Sequence, residues 1–76
     1  MADPVQRNRL FLGRVTSFDF DKGLGLVLAD DGESFPFHST TIADGTRSIE
    51  VGTRVCFTVA PAKLGRFEAR AVTTLP

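Results

Sequence analysis

Large apolar residues occupy every second position within the segment from Thr53 to Ala60, and this period of two favours an extended strand with one buried face. The apolar members are Val55, Phe57 and Val59. The whole chain is rich in Phe, Val, Leu and Thr, which suit pleated, half-buried strands better than helices. Its 76 residues give room for one domain. A chain of this size buries only about 60% of its unfolded surface, so we expect a thin core.

Further strand-like segments are separated by turn residues. The sequence Asp30-Asp31-Gly32 predicts a tight hairpin, because Gly after Asp supplies the positive φ angles that such turns need. The last strand contains Ala69 and Val72, which share a face only if the strand has a bulge. The predicted strands are Leu10–Phe18, Leu24–Ala29, Ser34–His38, Thr53–Ala60 and Arg66–Leu75.

Three strands in succession, followed by a long connection and a final pair, predict an all-β fold: a five-stranded antiparallel barrel of the OB-fold type. The polar segment 1–8 is predicted to be a disordered lead, and residues 9–76 to form the barrel. Leu24 and Leu26 fall on one face of the second strand, with Gly25 and Val27 on the other. The two leucines form either an open apolar platform or a surface covered by the loop 43–52.

Composition argues against several classes of function. The nine Lys and Arg residues balance nine Asp and Glu residues, so a polyanion site must be a local patch. One His and one Cys are too few for a zinc site of three or four protein ligands, and neither they nor the turn carboxylates form a catalytic grouping. We therefore expect no enzyme, no metal and no cofactor. A single cysteine, with no signal-peptide pattern and no long apolar run, predicts a cytoplasmic protein without a membrane span.

Two stretches of the chain resemble the bacterial cold-shock protein family. GRVTSFDFDKGLGLV, residues 13–27, is similar to that family's first ribonucleoprotein motif, and FPFHSTTI, residues 35–42, to its second. The segment DGTRSIEVGTRVCFTV and the ending AVTTL continue the likeness, so that it covers roughly residues 10–75. The resemblance implies a barrel of the cold-shock domain type. It also implies binding of single-stranded RNA or DNA, with bases stacked on aromatic side chains.

When the family's binding positions are transferred one by one onto this chain, the resulting surface is poor in aromatic residues. Aliphatic or small polar residues stand where the family has stacking rings; they are Ser17, Leu24, Leu26, Pro36, Ser39 and Thr46. The residues it marks for nucleic-acid binding are Phe18, Lys22, Leu24, Leu26, His38 and Arg66. Since stacking contributes about 1 to 3 kcal/mol per base, the sequence predicts weak, sequence-tolerant binding.

Several assignments stay open at this point. Lys22 and Gly23 suit a phosphate contact or an ordinary turn, and His38 suits a base contact or an inert exposed histidine. Phe20 and Phe67 lie outside the family's stacking positions, and either of them suits a base contact, although we expect Phe67 to belong to the core. The alternative function is a degenerate barrel that binds a protein partner, or a second copy of itself, through the Leu24 and Leu26 face.

Overall fold

The computed structural model describes residues 9–76, so the predicted disordered lead 1–8 lies outside the described part. The strands are β1 Phe11–Asp19, β2 Leu24–Ala29, β3 Ser34–His38, β4 Arg54–Pro61 and β5 Phe67–Thr74. They form one antiparallel sheet in the order β3-β2-β1-β4-β5. A short 3₁₀ turn follows β3, at Ser39–Thr41, and a tight turn with positive φ at Leu64 and Gly65 follows β4. The predicted all-β architecture is confirmed, and each predicted strand end lies within one residue of the observed end.

The two outermost strands of the sheet meet and close it into a barrel. Ile42, just after β3, forms a parallel bridge with Val72 of β5. The Ala43 N–H donates to the Val72 carbonyl at 2.7 Å. Pro36 lies on β3, at the end of the strand order, where its missing N–H removes no bond from a central ladder.

Phenylalanine rings fill the interior of the barrel. Five of the seven phenylalanines are buried or packed against the core, and they are Phe11, Phe18, Phe35, Phe37 and Phe57. One ring cluster joins Phe11 to Phe57 and to Phe35, with both centroid pairs 5.6 Å apart. Buried valines and alanines complete the core around these rings together with Ile42. Most of the aromatic residues of the chain therefore lie inside the barrel.

Gly25 marks the tightest point between β2 and the core. A Cβ atom there would lie 2.6 Å from the Phe37 ring and 2.7 Å from the Ser17 carbonyl oxygen. The Phe18 ring stacks on the Phe37 ring with centroids 5.9 Å apart. Only a residue without a side chain lets β2 lie flat over this aromatic pair.

A bulge in β5 determines which of its residues face the core. Cys56 pairs with Thr73 and Thr58 with Arg70, so β5 has one more residue than β4 in this interval. The extra residue is accommodated at Ala71, whose φ of 53° lies in the left-handed region. Ala69 and Val72 both become fully buried as a result. The bulge that the sequence required for a shared face is present.

Phe67 was expected from the sequence to belong to the core, and this expectation is wrong. Its side chain is 54% exposed. The reason is its place in the hairpin: Phe67 pairs with Pro61, two residues beyond the fully buried Ala69. The β4–β5 hairpin thus extends past the filled part of the barrel, and its end carries an aromatic ring into solvent.

The strained bulge predicts that Ala71→Gly stabilises the protein. A non-glycine residue in the left-handed region costs about 1 to 2 kcal/mol, partly offset by the entropy that glycine loses on folding. We expect a gain of about 0.5 to 1 kcal/mol in the free energy of unfolding, measured by urea denaturation followed by circular dichroism. Gly25→Ala is the matched control and should lose about 1 to 3 kcal/mol through overpacking. Equal effects of the two substitutions would contradict this account of the backbone.

Candidate nucleic-acid interface

A second bulge, in β1, determines which residues face outward beside β2. Val15 pairs with Val27 and Ser17 with Leu26, so Thr16 is the extra residue. The shift lets Val15 and Phe18 both face the core although they are three residues apart. Ser17 and Asp19 consequently lie on the outer surface. The sequence pattern gave no signal for this bulge.

The outer surface of β1, β2 and β3 consists of three cross-strand rows, which we call the leucine face. The strand registers place the central leucine of each row directly opposite a residue of β1 and a residue of β3. Directly opposed side chains have Cβ atoms about 4.5 to 5.5 Å apart. The rows are Asp19–Leu24–His38, Ser17–Leu26–Pro36 and Arg14–Leu28–Ser34.

The leucine face is open to solvent. Leu24 is 49% exposed and Leu26 is 41% exposed. The loop 43–52 does not cover them: it anchors to the core through Ile49, whereas Val51 is exposed. Of the two arrangements left open by the sequence, the structure has the exposed platform. Successive leucines on one strand face lie about 6.6 Å apart, since each residue advances the strand by about 3.3 Å.

Lys22 and His38 lie at one end of the leucine face. The β1–β2 turn is closed by the Gly23 N–H, which donates to the Asp19 carbonyl at 2.8 Å. The Ser39 N–H donates to the Gly23 carbonyl at 2.8 Å and ties this turn to the end of β3. The His38 Nδ1 accepts the Thr40 N–H at 3.2 Å. A neutral His38 ring therefore carries its proton on Nε2, which makes that atom a hydrogen-bond donor.

The other rim of the leucine face continues into a groove beside the β4–β5 hairpin, which we call the hairpin groove. Pro36 belongs to both surfaces, because it lies in the central row and also lines the groove. Arg66, at the far side, is exposed and is thereby brought beside the face. The remaining lining residues are Pro61, Ala62, Lys63, Leu64, Glu68 and Arg70.

Phe18 lies apart from the other predicted site residues. It faces inward opposite Gly25 and is half-buried against Phe37. The structure thus brings Lys22, Leu24, Leu26 and His38 onto one surface, and places Arg66 across the groove. Phe20 lies in the β1–β2 turn at the Lys22 end and is 66% exposed. It is an exposed aromatic residue that directly follows Asp19 of the leucine face.

Basic residues lie along the rims of the leucine face, which itself contains the carboxylate of Asp19, although the whole chain has no net charge. Within residues 9–76 the salt bridges are Arg54–Asp30, with N···O 2.9 Å, and Arg70–Glu68, with N···O 2.7 Å. The bidentate hydrogen bond from Arg54 lowers the pKa of Asp30. The basic residues of the rims that make no salt bridge in this part of the chain are Arg14, Lys22, Arg47, Lys63 and Arg66.

Arg47 is held near His38 by a structured loop. A shallow depression there is lined by His38, Thr46 and Arg47 among others. The Asp44 carboxylate accepts the Thr46 N–H at 3.0 Å and the Thr46 O–H at 2.8 Å. These two hydrogen bonds lower the pKa of Asp44 below its usual value. The loop cap is therefore made by the ionised carboxylate and weakens only in acid.

Other kinds of site find little support in the described residues. No group of three or more His, Cys, Asp or Glu side chains within residues 9–76 is arranged to hold a metal ion. Cys56 is a free, half-buried thiol on β4. In the same part of the chain there is no helix with the length and apolarity needed to cross a membrane.

The exposure of the leucine face predicts that its leucines contribute little to stability. Leu26→Ser should change the free energy of unfolding by less than about 1 kcal/mol, since much of its side chain already contacts water. Val27→Ala, at the adjacent and fully buried position, should cost about 2 kcal/mol or more. Urea denaturation of the two variants measures the difference. A larger loss for Leu26→Ser than for Val27→Ala would mean that the face is structural.

Comparisons with known proteins agree with this architecture. Cold shock protein 1 of Arabidopsis thaliana is 35% identical over 75 residues, which cover 96% of this chain and 25% of that protein. The solved structure of Drosophila Unr CSD456 matches with a TM-score of 0.74 at 23% identity, covering 100% of this chain and 32% of that one. The chain thus spans about a quarter of the curated relative and a third of the solved one. No protein-family profile matches the chain. The chain is thus similar in sequence to a cold shock protein, and its five-stranded barrel has the fold of a cold-shock domain.

Proposed function

We propose that this chain is a cold-shock domain that binds single-stranded RNA or DNA on the leucine face, with low affinity and little sequence preference. The observation that carries the proposal is the open apolar surface of Leu24, Leu26 and Pro36, bordered by cations without salt bridges in the described residues. Unpaired bases have apolar faces that such a surface can cover, and the cations can neutralise phosphates. No turnover and no cofactor are needed.

Each face residue has a role in this proposal. Leu24 and Leu26 contact successive bases, and the His38 Nε2–H donates to a base edge or a sugar oxygen. Lys22 and Arg66 meet phosphates at opposite rims of the face. Phe18 acts from below, because its stack with Phe37 holds the Gly25 segment of β2 in place.

The low affinity follows from the side chains that stand on the face. Base–aromatic stacking contributes about 1 to 3 kcal/mol per base. Leucine keeps part of the apolar contact but has no π system. A net loss of about 4 kcal/mol over the whole surface weakens binding about a thousandfold. A chain of zero net charge has no overall field that attracts a polyanion, so binding depends on the local cations of the face and is sensitive to salt.

A second function is favoured by the same exposed leucines. The face would then bind a protein partner or a second copy of this chain, as contiguous exposed apolar surface commonly does. Sedimentation of the protein with and without oligonucleotide separates the two. A monomer that binds oligonucleotide supports the leading proposal. A dimer lost in Leu24→Ser, with no binding of oligonucleotide, supports the alternative.

Localisation and source stay predictions. A cytoplasmic setting is proposed because the free Cys56 suits a reducing compartment. The relatives named above come from a plant and a fly, so the expected bacterial source also stays a prediction.

Restoring a ring to the face should tighten binding. Leu26→Phe is expected to improve the affinity for a labelled pyrimidine octanucleotide about fivefold, equivalent to about 1 kcal/mol, because phenylalanine adds stacking at a central position. Fluorescence anisotropy at low salt measures it with a label on the oligonucleotide, since the chain has no Trp or Tyr.

The control for this gain is Leu12→Phe, which adds the same ring at the opposite end of β1, on an exposed position paired with Cys56. It should leave the affinity unchanged. Flat anisotropy for the natural protein and for Leu26→Phe, up to high micromolar concentrations at low salt, would reject nucleic-acid binding by this face.

A further inference from the structure

Two aspartates of the chain are followed directly by glycine, in the pairs Asp31-Gly32 and Asp44-Gly45. Both pairs lie in exposed turns. In such a pair the glycine amide nitrogen can attack the aspartate side chain, because glycine has no Cβ atom that hinders the approach. Each pair is therefore a place where an aspartate can react with its own backbone.

The reaction is an isomerisation that needs no co-reactant other than water. The glycine nitrogen forms a bond to the side-chain carbon Cγ, the C–OH bond of the carboxyl group breaks, and the hydroxyl group leaves as water with the amide proton. The product of this step is a cyclic succinimide. A water molecule then opens the ring at its backbone carbonyl, so that the chain continues through Cβ and Cγ. The resulting isoaspartyl residue has an unchanged mass, a free α-carboxylate and a backbone longer by one methylene group.

The two turns hold their aspartate side chains with different numbers of hydrogen bonds. The Asp31 carboxylate accepts one, from the Glu33 N–H at 3.0 Å. The Asp44 carboxylate accepts the corresponding bond from the Thr46 N–H, also at 3.0 Å, and a second bond from the Thr46 hydroxyl at 2.8 Å. The threonine two residues after Asp44 thus donates a bond that a glutamate side chain in the same place after Asp31 does not supply.

The Thr46 hydrogen bonds oppose the reaction at Asp44 in two ways. They fix the carboxylate, which must turn toward the Gly45 nitrogen before it can react. They also lower the pKa of Asp44, and an ionised carboxylate is the poorer electrophile. The glycine N–H groups do not distinguish the turns, since each donates to the carbonyl three residues earlier, at 2.9 and 3.1 Å. Both turns must therefore open before the nitrogen attacks, and the extra restraint is on Asp44.

We propose that Asp31 is a site of spontaneous isoaspartyl formation in the folded protein, whereas the Thr46 hydroxyl protects Asp44. The substrate of the reaction is the Asp31-Gly32 pair itself, with water. This chemistry does not depend on what the leucine face binds.

Isomerisation at Asp31 lengthens the β2–β3 hairpin at its turn. The Ala29 N–H donates to the Glu33 carbonyl at 2.8 Å across this turn. The next cross-strand pair is Leu28 with Ser34, which form part of one row of the leucine face. An added methylene in so short a connection disturbs the alignment of the two strands beside it. We expect no change at the far end of β2, where the strand meets the β1–β2 turn.

The test ages the natural protein at neutral pH, both folded and in urea, and measures isoaspartate at each position by mass spectrometry with electron-transfer fragmentation. Because the neighbouring residues differ, the quantity compared is the rate at Asp31 divided by the rate at Asp44, in the folded protein relative to the same quotient in urea. We expect this relative quotient to be about five, which corresponds to about 1 kcal/mol, the net contribution of one hydrogen bond.

Thr46→Val tests the protection directly, because valine resembles threonine in shape and lacks the hydroxyl. It should raise the rate at Asp44 in the folded protein about fivefold, leave the rate at Asp31 unchanged, and bring the relative quotient close to one. Asp31→Glu is the matched control, since its longer side chain does not readily close the same ring. It should abolish the product at this position and leave Asp44 as slow as before.

Two further measurements report on the modified protein. An isoaspartyl methyltransferase esterifies the free α-carboxylate as the C–S bond of S-adenosylmethionine breaks and the thioether leaves. With a labelled methyl group it should mark the aged natural protein and leave the aged Asp31→Glu variant nearly unlabelled. In amide spectra of the aged natural protein, new resonances should appear for Ala29, Glu33 and Ser34 and not for His38.

Three results would overturn the inference. One is a relative quotient near one in the natural protein. Another is an Asp31 that forms isoaspartate in urea but not in the folded state. The third is a Thr46→Val protein in which Asp44 reacts as slowly as in the natural protein, because the protection would then not come from the hydroxyl.

Discussion

Gly25 lies where β2 crosses the ring of Phe37, and the shape of the outer surface depends on this close approach. With no Cβ at that point, β2 lies against the Phe37–Phe18 stack, and its alternating side chains are fixed in direction. The small residues Gly25, Val27 and Ala29 face inward. The leucines consequently face outward between β1 and β3. One steric constraint inside the barrel thus determines the surface that we assign to ligand binding.

Aromatic residues are distributed unevenly between the inside and the outside of this barrel. Five phenylalanines support the core, and the outer rows contain none. Phe20 and Phe67 remain exposed, one in the β1–β2 turn and the other at the end of the β4–β5 hairpin. The apolar side chains of the leucine face are aliphatic. A base bound there therefore gains buried apolar area but no π stacking. The rings that reach solvent lie at the periphery, beside Lys22 and Arg66 in the sequence.

Much of the fold could be predicted from local pattern, because β2, β3 and β4 have period-two alternation and turn residues separate the strands. The alternation also predicted that Leu24, Leu26 and His38 face outward. Two features depended on packing that a local pattern does not contain. The β1 bulge at Thr16 arises where the strand must turn both Val15 and Phe18 inward. The exposure of Phe67 depends on how far the β4–β5 hairpin extends beyond the core, which hydrophobicity alone does not reveal.

The most direct test of the central claim is a map of backbone amide shifts during titration with a short pyrimidine oligonucleotide. We expect the largest changes in the β1–β2 turn at Lys22, in β2 at Leu24 and Leu26, and at the end of β3 at His38. Shifts confined to β4 and the adjoining end of β5, or no shifts at millimolar oligonucleotide, would contradict the claim that the leucine face holds single strands.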